Sequence, residues 1–392
     1  MPMQDSVFVE LLKPIRRRSF QQIVDRHDAD AYDKSFKSWQ HLVALLFAQL
    51  SGITSLRGLV AAFNAERNGH YHLGVVGRLA RSTLAEANVR RPLAVFTEFF
   101  AHLSGELDRV TRRDGAELLR LLDSTPIPLS KFHDFARSNG RINGLKMHVA
   151  YDKGGDRPYR VEVTPANVND VTIGKKTPIE TGATYVFDKG YYDFAWWAGI
   201  HAAGALFVTR PKRNSNFVGV ADRPLANARG DGFTVLEDSE VKLASKGDSK
   251  LPMRLRRVKI ARDRPGNAKP DVITVITNDM RREAVEIAAL YKARWAIELL
   301  FRWIKQHLHI RKFLGKNENA IKLQLLAAMI AFVLLRIAAH RHSVVLEPLR
   351  FAELVERFLF SRRSIGAIED PPQKCLVPSR WASAHQLRFK YA

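Results

Sequence analysis

The chain has 392 residues and a mass of 44.4 kDa, and its 62 Lys and Arg against 40 Asp and Glu leave +22 at pH 7, with a pI near 10.2. That length predicts two or three domains, and 46% hydrophobic residues with a mean hydropathy of −0.20 exclude general disorder. A single cysteine, Cys375, excludes an intrachain disulfide framework and a cysteine-rich zinc finger, and fits a reducing compartment. The excess charge asks for a polyanion, either nucleic acid or an anionic membrane.

The first ninety residues predict a small all-helical domain, 1–90. Ser38 is placed to cap a helix whose apolar residues Trp39, Leu42, Val43, Leu46, Phe47 and Leu50 recur three and four apart, with Gly52 as the stop. Ser55 to Phe63 is a second short helix, and Thr83 with Glu86 has capping-box spacing. Arg16, Arg17 and Arg18 form a basic cluster. Periodicity alone fits a packing domain and a DNA-binding domain equally.

Near Gly115 the pattern changes. Leu118 to Asp123 reads as a strand ending in the turn Asp-Ser-Thr-Pro, and Leu145 to Tyr151 with Tyr159 to Val163 reads as a hairpin about Gly154 and Gly155. Thr184 to Phe187 and Leu206 to Thr209 are short strands on either side of a helix at Tyr191 to Ala203. A β-rich, basic insertion follows at about 213–281, with strands at 232–236, 252–261 and 272–277. One long helix is predicted over about 283–309, then further helices to about 360 and an irregular tail, 371–392. The longest apolar stretch, Leu325 to Leu335, is shorter than the roughly 20 residues a spanning helix needs, so it predicts a buried core helix. Gln4, Asp5 and Glu10 leave no basic and apolar leader at the start, and the expected localisation is cytoplasmic. The fold class is α/β with a mixed sheet, in a unit covering 91–370.

Charge is uneven: residues 1–200 carry +5 and 201–392 carry +17. Residues 241–270 hold ten cations against Asp248 and Asp263, and 302–316 hold Arg302, Lys305, Arg311, Lys312 and Lys316 without an acid. Each run alone is as readily a solvated face; together they favour phosphate contacts.

Asp123 and Asp188 stand at the ends of predicted strands, where α/β sheets place their sites. Taken singly, each reads as a turn residue, since one precedes Ser-Thr-Pro and the other Lys-Gly. On the long helix, Tyr291, Glu298 and Lys305 fall within roughly 40° of one another at about 100° per residue, beside Arg294 and Arg302. By pattern alone this is the polar face of an amphipathic helix. Three carboxylates from two strands and a helix can nevertheless hold two Mg²⁺ ions, roughly 4 Å apart, for an in-line displacement at phosphorus.

Tyr291, Arg294, Glu298 and Lys305 together spell Y-x2-R-x3-E-x6-K, and on this signature the chain resembles the IS-four family of insertion-sequence transposases. Asp123-Ser-Thr, Phe187-Asp-Lys-Gly-Tyr191, Thr277-Asn-Asp279 and the N-terminal segment ending at Gly52 resemble other parts of that family. The resemblance implies a ribonuclease-H-like core with the catalytic and metal-binding triad Asp123, Asp188 and Glu298. It implies DNA contacts by Tyr291, Arg294 and Lys305, and two Mg²⁺ ions replaceable by Mn²⁺. It further implies cut-and-paste transposition on terminal inverted repeats and target DNA, by a homodimer in the synaptic complex. A tryptophan stacks a flipped base in related enzymes; Trp196, Trp197 and Trp295 share that candidacy. A nuclease of the same core without strand transfer, and a non-enzymatic DNA-binding derivative, are the alternatives. The histidines His307 and His309, His70 and His72, and His340 and His342 lack partners at zinc spacing, and no P-loop is present, so no nucleotide cofactor is expected.

Overall fold

The computed structural model describes residues 5–66, 71–130, 133, 135–225, 227–244, 253–263, 271–307 and 313–370. The tail at 371–392 with Cys375, and His70, His309, Arg311 and Lys312, lie outside them.

The N-terminal part is helical: α1 (Val7–Leu12), α2 (Arg17–Arg26), α3 (Ser38–Leu50), α4 (Leu56–Ala65), α5 (Arg81–Arg90) and α6 (Leu93–Thr111). Ser55 caps α4 as expected, its hydroxyl accepting the Gly58 N–H at 3.0 Å. Ser38 does not cap α3. It is the first helical residue, and its N–H and hydroxyl both donate to Asp30 Oδ1 at 2.8 and 2.7 Å. A carboxylate arriving from the preceding loop is the stronger acceptor for those two donors. The Thr83–Glu86 capping box is also not formed: α5 begins at Arg81, and Glu86 instead pairs with Arg90 one turn on.

The sheet begins with β1 (Leu119–Pro128), β2 (Arg137–Ser138), β3 (Asn143–Asp152) and β4 (Arg157–Pro165). After the short helix α7 (Asp170–Gly174) come β5 (Thr184–Phe187), α8 (Phe194–Ala202) and β6 (Leu206–Thr209). The hairpin expected about Gly154 is β3–β4. β1 is antiparallel to β3 and parallel to β5, which is parallel to β6. The order β4-β3-β1-β5-β6, three antiparallel strands followed by two parallel to the first, is the ribonuclease-H-like arrangement.

β1 does not stop at Asp123. It pairs with β3 from Arg120↔Asp152 to Pro128↔Gly144, although it contains Pro126 and Pro128. The prolines are tolerated because of parity. Lys153 N–H donates to Leu119 O and Leu129 N–H to Asn143 O, so odd-numbered β1 groups face β3. The missing N–H groups of Pro126 and Pro128 face the other side, where pairing with β5 has ended at Leu122↔Phe187.

The insertion adds β7 (Phe217–Asp222), β8 (Arg229–Gly230), β9 (Phe233–Leu243), β10 (Leu255–Arg262) and β11 (Asp271–Thr277). It does not stand apart from the core. β11 pairs antiparallel with β6, and the same sheet runs on through β10 and β9 to β7. At its centre Arg256 is 1% exposed and forks onto Asp238 at 2.7 and 2.6 Å, while its Nη1 donates to Arg282 O at 2.6 Å. That bidentate pair is matched and fully bonded, and it fastens the insertion to the turn entering the next helix.

α9 (Ala284–Ala293), α10 (Trp295–His307), α11 (Glu318–Arg341) and α12 (Pro348–Phe358) complete the described elements. α11 is long and apolar enough by length and composition to cross a membrane, yet 89% of its apolar window is buried inside the protein. It is the central helix of the larger core, in which α1–α6, α9, α10 and one sheet face meet. The other sheet face, with Leu122, Tyr185, Phe187 and Phe207, is covered by α8 through Trp196, Trp197 and Ile200.

Candidate active site

Strand alternation sets which way the acids point. Leu121 and Val186 lie in the core with α10, whereas Leu122 and Phe187 lie against α8. Asp123 and Asp188, two residues beyond Leu121 and Val186, therefore turn to the α10 side. The registers Leu122↔Phe187 and Phe187↔Thr209 align the next residue of each strand. Asp123, Asp188 and Arg210 thus form a row across three neighbouring parallel strands, which stand about 4.8 Å apart. Arg210 was missed in the sequence because a cation after a four-residue strand has no local signature; only the register sets it level with Asp188. It forms no ion pair among the described residues.

The helix facing this row is not continuous. α9 ends at Ala293 and α10 starts at Trp295, with Arg294 between them at φ −54° and ψ −26°. Hydrogen bonds from Arg294 N–H to Tyr291 O, 3.2 Å, and from Ile297 N–H to Arg294 O, 3.1 Å, tighten the turn to three-residue spacing. The turn delivers the Arg294 side chain between two acids: Nη1 donates to Asp123 Oδ2 at 2.8 Å and Nη2 to Glu298 Oε1. These side chains are 16%, 20% and 31% exposed for Arg294, Asp123 and Glu298. The expected solvated stripe is therefore solvated only at its far end, where Lys305 is exposed, while Tyr291 is 7% exposed beneath Arg294.

Electrostatics follow the same geometry. Burial pushes the Asp123 carboxyl up to about 6; Arg294 and the Ser124 N–H pull it down, and Asp188 and Glu298 push it up. Burial works against the Arg294 charge, but Asp123, Tyr291 and Glu298 outweigh it and its pKa is raised. The Tyr291 phenol is raised by burial.

The turn before α9 is fixed by Thr277-Asn278-Asp279. Asn278 Oδ1 accepts the Phe207 N–H at 2.8 Å and its Nδ2 donates to Ala205 O at 3.1 Å, tying β11 to β6. Asp279 Oδ1 accepts the N–H groups of Arg281 and Arg282 at 2.9 and 3.2 Å. This motif aims α9 and hence Glu298.

A hard divalent cation suits the oxygen donors present: three carboxylates, of which Asp188 Oδ1 is buried and has no hydrogen-bond partner among the described residues. Among those residues no three His, Cys, Asp or Glu side chains are already arranged to hold a metal ion; Arg294 stands between Asp123 and Glu298.

In the basic run of the insertion, five of the ten cations have acidic partners among the described residues. Arg254 pairs with Glu240, Arg256 with Asp238, Arg257 and Lys259 with Glu237, and Arg262 with Asp271. Those five cations serve cross-strand pairs; Lys246, Lys250, Arg264 and Lys269 lie outside the described residues. In the N-terminal helices, by contrast, Arg57, Arg78 and Arg81 have no such partner among the described residues and line one groove of about 480 Å³ with Val60, Ala61, Asn64 and Ala65. Asn64 fixes that groove by bonding both Leu79 O and Leu79 N–H, at 2.9 and 2.8 Å. Of the three candidate tryptophans, Trp196 and Trp197 are 6% and 0% exposed in the core under α8, whereas Trp295 is 49% exposed beside Arg294, with Arg302 over its ring.

Residues 114–334 match the family described as Transposase DDE domain, and residues 3–76 match a domain of unknown function (DUF4372). The chain is similar to the Putative transposase y4zB of Sinorhizobium fredii, 57% identical over 79% of this chain and 85% of that protein. It is similar to the Probable transposase for insertion sequence element IS5377 of Geobacillus stearothermophilus, 31% identical over 66% of this chain and 67% of that protein. The Putative transposase for insertion sequence element IS4SA of Synechocystis is 26% identical over 69% of this chain and 76% of its own. Among solved structures, that of the piggyBac transposase synaptic complex with hairpin DNA matches with a TM-score of 0.42 and 13% identity, over 94% of this chain and 81% of that one.

Proposed function

The chain belongs to the transposase DDE domain family, and from that premise we propose that it moves its own insertion sequence by Mg²⁺-dependent cut-and-paste. It cleaves the two ends and joins the freed 3′-hydroxyls to target DNA. The observation that carries this reading is the row of Asp123 and Asp188 on adjacent parallel strands, with Glu298 joined to it through Arg294.

In this reading Asp123, Asp188 and Glu298 would hold the divalent ions, with Mn²⁺ able to replace Mg²⁺. Bound there, the metal lowers the cost of forming the attacking oxygen and of releasing the leaving oxygen at phosphorus. The protein's own groups orient and screen. Arg294 keeps Asp123 and Glu298 apart from each other and balances their charge, and its planar fork suits a phosphate when a carboxylate turns away. Tyr291 supports Arg294 from below. Arg210 and the exposed Lys305 flank the path of the DNA backbone. Trp295, half exposed with Arg302 over its ring, would be the tryptophan that stacks on a flipped base. Two ends must be cut in concert, so the working form is a homodimer on paired terminal repeats, acting in the nucleoid of the bacterial cytoplasm.

Residues 1–90 serve as the DNA-binding domain and 91–370, with the insertion at about 213–281, as the catalytic domain. In the former, the Arg57, Arg78 and Arg81 groove grips the DNA backbone. Neutralising all three to Gln reduces the slope of log affinity against log salt by about 2 to 3, since each phosphate contact contributes about 0.9. The same change at Arg254, Lys259 and Arg262, already paired with acids, alters the slope little. Equal effects of the two triples in a fluorescence-anisotropy titration would reject the groove.

The direct test of function is incubation of the purified protein with Mg²⁺ and a fragment carrying the element's terminal inverted repeat. Cuts at the repeat border and joining to a target plasmid are expected. Nicking without preference for the repeat would instead identify a nuclease.

A further inference from the structure

Behind the acid row, on the opposite sheet face, lies another carboxylate, Asp170, which opens α7. Ser124, the residue after Asp123, donates its hydroxyl to Asp170 Oδ1 at 2.7 Å. Lys146 of β3 donates to the same oxygen at 3.1 Å and to Val168 O at 2.9 Å, so the lysine holds both Asp170 and its approach loop. His148, next on that strand face, lies 3.6 Å from Asp170 Oδ1 and spends its Nε2 on Thr164 Oγ1 at 2.9 Å. The other Asp170 oxygen packs against the turn after Asp188: a Cβ on Gly190 would sit 2.6 Å from Oδ2. The same tightness continues in α7, where a Cβ on Gly174 would lie 2.9 Å from the Tyr191 ring.

One carboxylate thus touches both segments that carry the acids, immediately after Asp123 within β1 and two residues after Asp188 beyond β5. It also gives Ser124 and Gly190 a reason for being serine and glycine: the first supplies the donor, the second leaves the room. We propose that Asp170 is a positioning residue that sets the separation of Asp123 and Asp188 from behind the sheet, and so sets the affinity of the pair for a divalent cation. This rests on the reading of Asp123 and Asp188 as metal ligands. It needs no contact between Asp170 and the metal, because Ser124 and Asp170 lie on the face turned from α10. Partners that orient metal ligands typically contribute a factor of about 10 to 100 in affinity.

The experiment is Mn²⁺ binding to the full-length protein, read from the electron paramagnetic resonance of free Mn²⁺, with thermal unfolding of the metal-free form alongside. Asp170→Ala and Ser124→Ala are expected to weaken Mn²⁺ binding about tenfold or more, while Ser124→Thr, which keeps the hydroxyl, binds near the wild-type level. A role confined to folding would move the unfolding temperature and leave the affinity of the folded fraction unchanged. If Asp170→Ala does not fold, the Ser124→Ala and Ser124→Thr pair decides. Asp123→Ala separates the two levels of inference. If it abolishes binding while Asp170→Ala and Ser124→Ala bind as wild type, the positioning role is wrong. If Asp123→Ala itself binds as wild type, the metal reading of the acid row is wrong.

Discussion

Asp188→Asn is expected to reduce end cleavage by at least about 10³-fold while leaving the fold intact, a loss of about 4 kcal/mol of transition-state stabilisation. The substitution is isosteric. Asp188 Oδ1 is buried with no hydrogen-bond partner among the described residues, so the amide costs no hydrogen bond at that oxygen. A cation held between Asp123 and Asp188 does depend on it: the amide removes one anionic ligand and can turn an N–H toward the metal. The measurement is single-turnover cleavage of a terminal-repeat fragment under saturating Mg²⁺, with circular dichroism as the control for folding. A variant that cuts within tenfold of wild type would remove Asp188 from the machinery.

Arg294→Ala is expected to lower metal-free stability by about 2 to 3 kcal/mol, at or below the low end of the range for fully buried pairs because these groups keep some exposure. The native guanidinium bridges Asp123 and Glu298, and Asp188 adds its charge to the same surroundings. Without Arg294 those carboxylates repel one another in a half-buried crevice. Divalent cation then has more to offset, so saturating Mg²⁺ raises the unfolding temperature of the variant more than that of the wild type. Cleavage falls as well, since the fork that could meet the scissile phosphate is gone. Calorimetry with and without Mg²⁺ reads the comparison, and an equal Mg²⁺-induced shift in both proteins would contradict it.

Much of the core was readable from local pattern. Thr184–Phe187 and Leu206–Thr209 are short apolar runs between clear breaks, and both strands have the expected limits. Glu298 and Lys305 share the face the sequence spacing gives them because α10 is unbroken over those seven residues. Other features depend on partners distant in the chain. Asp-Ser-Thr-Pro looks like a turn, and only β3 converts it into the middle of β1. The break at Arg294 has no proline or glycine to announce it; the side chain's two carboxylate partners accompany the tightened turn. Ser38 fails to cap α3 for the same reason: the Asp30 carboxylate arrives from outside the helix and takes both its N–H and its hydroxyl, and Lys37 is the N-cap. Five of the insertion's cations face Glu237, Asp238, Glu240 and Asp271, pairings that only the strand register brings about.

The continuity of the sheet from β6 into the insertion has a mechanical consequence. Two ladder pairs, Ile276↔Thr209 and Thr277↔Val208, and the Asn278 bonds to Phe207 and Ala205 tie the insertion to the strand beside Asp188, where a tethered module would have only a linker. Counting outward from β5 through β6, β11, β10 and β9 to β7 gives five strand steps, or up to about 24 Å at about 4.8 Å each. The outer edge of the insertion is therefore held at a set distance from Asp188 by the sheet itself.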